Sequence, residues 1–139
     1  MLRMMICAVL VSGLISARVW AEERQMFDPL EESKNQVIVL GDSGLTPKEL
    51  HMKLEDSVVF FLNKSSSPGV NIEIDYGSKE THCASSNLVV ADNGVVRSKR
   101  PIASRDFASV CFHDRGSYPL KVAGLRGKGS LIISTIVVE

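Results

Sequence analysis

The stretch from Val110 to Val122 restricts the fold of this chain more than any other part of it. Val110 and Phe112 alternate with Ser109, Cys111 and His113. After a turn, Tyr118, Leu120 and Val122 alternate with Ser117, Pro119 and Lys121. A period of two sends successive side chains to opposite faces of a strand, so each segment buries one face. Asp114-Arg115-Gly116 between them is a tight-turn sequence, with Gly116 free to adopt positive φ. The glycine-rich Gly127-Lys128-Gly129 then leads into Leu131-Ile132-Ile133, a third strand. Strand, turn, strand, loop, strand predicts an all-β domain.

The amino terminus has a different grammar. Met1-Leu2-Arg3 is a short positive region, and Met4 to Ser16 is almost wholly apolar. That run is too short for a comfortable membrane span, which argues against a lasting anchor. Val19-Trp20-Ala21 sets small residues at −3 and −1 of a cleavage point before Glu22. Residues 1–21 therefore read as a signal peptide, 22–35 as a polar, acidic, flexible leader, and 36–139 as one domain. The expected location is secreted or periplasmic.

Without Arg3 and Arg18, 14 of the 16 basic side chains face all 16 acidic ones, a formal charge of −2. That balance makes no electrostatic case for nucleic acid or for an anionic membrane surface. Cys83 and Cys111 survive cleavage in a chain bound for an oxidising compartment, where a disulfide is the default.

Ordered structure is expected to begin with the strand Gln36-Val37-Ile38-Val39-Leu40, which Gly41-Asp42-Ser43-Gly44 ends. Leu50, Met52 and Leu54 share one strand face, with His51, Lys53 and Glu55 on the other. Val58 to Leu62 is the most hydrophobic strand, followed by Asn63 and by Pro68 ahead of the alternating Val70, Ile72 and Ile74. Tyr76 to Leu88 reads as a loop with room for one helical turn. Asp92-Asn93-Gly94 turns between Leu88-Val89-Val90 and Val95-Val96. Arg97-Ser98-Lys99-Arg100 reads as a solvated loop rather than an anion site.

Both halves, in order and spacing, resemble the cupredoxins, small secreted β-sandwiches that carry a copper ion. The resemblance runs from Gln36 to Val138, loosely in the middle third. It implies a Greek-key sandwich of about seven to eight strands. In that family a histidine follows the proline after the Asn-ended strand, and a cysteine ends the strand after the glycine turn. Here Gly69 and Val122 stand at those two positions, and no His, Cys or Met occurs after His113. Type-1 copper takes two imidazoles, a thiolate and a weak axial sulfur. No cofactor is therefore expected, copper being the alternative.

One constellation could carry chemistry: His82-Cys83 with Cys111 and His113. If Val110 and Phe112 fill the core, Cys111 and His113 face outward together. Cys83 then offers either the other half of a disulfide or a second thiolate for copper or zinc. The chain has no nucleophile elbow, phosphate-binding glycine loop or HExxH, and its cysteines are not a Cys-x-x-Cys pair. The expected role is a non-enzymatic binding or structural module of the envelope with a protein partner. The alternative is metal binding, metal delivery or electron transfer at the His/Cys cluster.

Overall fold

Alternation of buried and exposed side chains decides which segments become strands. In the computed structural model, residues 35–54, 58–81, 83–127 and 131–139 are described. The stretch read as a signal peptide, the expected leader up to residue 34, and His82 lie outside them. The strands are β1 (Asn35–Gly41), β2 (Gly44–Thr46), β3 (Leu50–Met52), β4 (Val58–Asn63), β5 (Gly69–Asp75), β6 (Leu88–Val90), β7 (Val95–Ser98), β8 (Ile102–Ala103), β9 (Phe107–Cys111), β10 (Gly116–Ala123) and β11 (Leu131–Val138).

They form two sheets. The first runs β2-β1-β4-β9; the second runs β3-β11-β10-β5-β7-β6, with β8 against β5. Most neighbours are antiparallel, but β1 lies parallel to β4 and β3 parallel to β11. Each parallel pair arises because the intervening chain crosses to the other sheet and returns.

The strand count exceeds the expected seven to eight. The surplus includes β2 and β8, pieces of three and two residues too short to show a period. The Asp114–Gly116 turn also differs from a hairpin, because it carries the chain from β9 in one sheet to β10 in the other. Gly116 adopts φ 144° there. Between Tyr76 and Leu88 no helical turn forms among the described residues.

The core lies between the sheets. Ile38, Leu40, Val59, Phe61, Ala108 and Val110 point inward from the first, and Val70, Ile72, Ile74, Leu120, Val122 and Ile136 from the second. Full burial of each large aliphatic or aromatic side chain stabilises the fold by about 1.5–3 kcal/mol before entropy is charged. The end of the sandwich below β9 is closed by rings. Phe112 stacks on Tyr76 at 5.3 Å and meets Tyr118 edge-on at 4.6 Å. The Tyr76 hydroxyl donates to the Cys111 carbonyl at 2.8 Å, and that of Tyr118 to the Asp114 carbonyl at 2.6 Å. The second bond, from a tyrosine to backbone four residues upstream, is the tyrosine corner of Greek-key sandwiches.

Candidate functional site

Three regions bear on function. The first is the sandwich end where β5 begins and β10 finishes. Val122 sits on the inner face of β10, opposite Ile72, and is 1% exposed. Its neighbour along the chain, Gly124, takes φ +95°, and a Cβ there would lie 2.8 Å from the Gly69 carbonyl oxygen. Gly69 is crowded from the other side: a Cβ would fall 2.7 Å from the Pro101 side chain. Leu125 is buried behind them.

A relay of hydroxyls fastens this end. Asn63, wholly buried, donates to the Ile102 carbonyl at 2.9 Å and accepts from both the amide and the hydroxyl of Ser65. The Ser65 oxygen accepts the Ser67 amide, and the Ser67 hydroxyl lies between the Gly124 and Gly69 carbonyls. Ser66 is held apart by Asp42, which accepts from its amide at 2.8 Å. The residues at this end thus supply hydroxyls, carbonyls and methyl groups, packed against each other. They do not fit a type-1 copper centre, which needs imidazole and thiolate donors converging on an open cradle. Sequence reasoning saw the glycine and valine substitutions but missed Ser67, Pro101 and Leu125, whose roles emerge only when distant loops meet.

The second region holds Cys83, Cys111 and His113, at the opposite end of the sandwich. Cys83 and Cys111 form a disulfide with Cα atoms 5.4 Å apart. Ala84 bridges Val110 in antiparallel register, so the two cysteines lie directly across from one another. The Cys111 amide donates to the Cys83 carbonyl at 3.3 Å and the Ser85 amide to the Ser109 carbonyl at 2.9 Å. In the disulfide neither sulfur is a thiolate ligand. His113 is exposed just beyond β9, as the alternation predicts. His82, the fourth member of the expected cluster, lies outside the described residues. Among those residues no group of three or more His, Cys, Asp or Glu side chains is placed to hold a metal ion.

The third region escaped sequence reasoning. Register across β1, β4 and β9 aligns Val37 with Phe60 and Ser109, and Val39 with Leu62 and Phe107. These side chains point away from the core, since Ile38, Phe61 and Ala108 between them are buried. Phe107 is 50% and Val37 45% exposed, and the Phe60 and Phe107 rings sit 5.8 Å apart. None of these outward positions carries a charge. The outer face of the second sheet mixes charge with apolar surface: Lys121 pairs with Glu73 at 2.9 Å, while Ile133, 72% exposed, and Leu131 lie on β11. The available signal was that β1 and β4 are apolar at both parities, where a half-exposed strand alternates.

No protein-family model and no curated protein matches the chain. Solved structures do. A reduced Cu(I) structure of a methionine-to-alanine variant of amicyanin superposes with a TM-score of 0.52 at 15% identity, covering 76% of this chain and 82% of that one. A reduced tryptophan-to-tyrosine variant gives 0.52 at 15%, and a proline-to-glycine variant in its reduced Cu(I) form at pH 4 gives 0.51 at 16%. Each covers 76% of this chain, and 83% and 82% of theirs.

The fold is that of a cupredoxin. At such identity the likeness extends to architecture alone, and the copper of those structures belongs to amicyanin. This cupredoxin-like sandwich keeps the strands that would frame a metal loop while filling the loop's place with its own backbone. Among the described residues no helix is long and apolar enough to cross a membrane.

Proposed function

We propose that this chain is a copper-free cupredoxin-like module, secreted or periplasmic, that acts by binding a protein partner and not by electron transfer or catalysis. The observation that carries the reading is the uncharged outer face of the first sheet, centred on Phe60 and Phe107. Contiguous apolar surface of this kind marks interaction sites on soluble proteins. The closed state of the sandwich end around Gly69, Ser67 and Gly124 weighs against the rival reading of a type-1 electron carrier. The disulfide and the signal-like amino terminus support an oxidising compartment.

In-cell cross-linking of the wild-type chain and of a Phe60→Lys/Phe107→Lys double variant tests the partner. A defined adduct is expected for wild type and should vanish in the variant, whose circular dichroism stays native. An adduct unchanged by two new charges on that face would contradict the reading.

A further inference from the structure

We infer that the Cys83–Cys111 disulfide is a reducible latch on an edge cover of the first sheet, and that a dithiol reductant opens it without unfolding the sandwich. The sheet ends at β9, and among the described residues no further strand lies beyond it. The segment Cys83–Asn87 fills that place. It binds β9 through Cys111 amide to Cys83 carbonyl, Ser85 amide to Ser109 carbonyl, Ser109 amide to Ser85 hydroxyl and Asn87 side-chain amide to Phe107 carbonyl. Unpaired strand edges invite pairing with other chains, and a covering segment prevents it.

Among the described residues the cover's inner end is fixed by buried Asn87, whose carbonyl accepts the Lys99 amide at 2.8 Å. Its outer part has little besides β9 and the disulfide to hold it. Cys83, Ala84 and Ser86 are exposed and Ser85 is half-buried. Apolar anchorage resumes only at Leu88 and, on the amino-terminal side, at Tyr76, both buried. The opposite edge of β9 is secured independently. It pairs with β4 from Val58–Cys111 to Leu62–Phe107, and its inward Ala108 and Val110 are fully buried. Opening the latch therefore frees one flank of β9 and leaves the other fixed.

Chemistry favours attack from outside. Cys83 is exposed while Cys111 is half-buried, so a thiolate of the reductant reaches the Cys83 sulfur. The S–S bond breaks with Cys111 leaving as thiolate, and a mixed disulfide forms on Cys83. The reductant's second thiol resolves it. Two electrons and two protons pass to the protein, giving two thiols, and the reductant leaves as its own disulfide. Exposed disulfides are the ones that exchange in this way.

The geometry gives a residue-by-residue signature. The amides of Ser109 and Cys111 point to the cover, so alternation directs those of Ala108 and Val110 toward β4. Hydrogen exchange by NMR, with and without dithiothreitol and in a Cys83→Ser/Cys111→Ser variant, reads these separately. On reduction, and in the variant, Ser85, Ser109 and position 111 should lose their protection, while Ala108, Val110 and Phe61 keep a protection set by the remaining global stability. Three results would overturn the inference: a bond that resists dithiothreitol in the folded protein, exchange at Ser109 and Cys111 unaltered after reduction, or protection lost at all of these amides together.

Discussion

Asn63 illustrates how one residue can be read twice, first as a strand terminator and then as a structural hub. Its side chain satisfies Ile102 and Ser65, while its backbone accepts the Arg105 amide at 2.7 Å and donates to the Asp106 carbonyl at 3.0 Å. Replacing it leaves buried partners without bonds, and an unmet buried polar group costs about 1–3 kcal/mol. Asn63→Ala should therefore lower unfolding free energy by about 2–4 kcal/mol, read from denaturant midpoints. Ser66→Ala, at an exposed position bound only to Asp42, should cost about 1 kcal/mol or less.

Tyr118 makes a pH-dependent claim at the same scale. Burial, and then the nearby Asp114 carboxylate, hold its phenol above the ordinary value, and burial raises Tyr76 still further. In the unfolded chain a tyrosine ionises near pH 10. The stability tied to the neutral phenols is complete below about that pH and is lost as pH rises through the higher folded values. Tyr118→Phe should cost about 1–2 kcal/mol at neutral pH and flatten part of the alkaline decline, measured by melts at stepped pH.

Elements differ in how far sequence exposes them. The alternation in β5 and β10 and the apolar runs of β1 and β4 are legible because six or more residues establish a period. Strands β2 and β8 are invisible in that way: Gly44–Thr46 reads as a loop, and only pairing with β1 makes it a strand. Ile102–Ala103 is extended because it meets Gly69 and Val70 of β5. The outward phase of Cys111 and His113 follows directly from Val110 and Phe112. What the period cannot supply is which loop arrives beside them. The disulfide there closes a separation of 28 residues. On chain-entropy grounds, removing it by Cys83→Ser/Cys111→Ser should cost about 3–4 kcal/mol in global unfolding. The variant should still fold, because a domain of this size has about 5–15 kcal/mol to lose.

At the scale of the molecule, architecture and chemistry separate. The order and spacing of strands in both halves lead to a cupredoxin sandwich, which the superposition on amicyanin supports at the level of fold. Function resides in the ends and faces of that sandwich. The glycine and valine at the family's ligand positions were legible. The hydroxyl relay from Asn63 to Gly124 and the apolar outer sheet were not, since each joins residues brought together only by register. Backbone and hydroxyl groups pack the sandwich end between Gly69 and Gly124, where the family resemblance would put a copper centre. Metal analysis of the protein isolated from its native compartment tests this most directly, supported by titration with Cu(I) and Cu(II). Copper well below one per chain, with no thiolate-to-copper charge-transfer band on titration, is the predicted result. One tightly held copper per chain would contradict it.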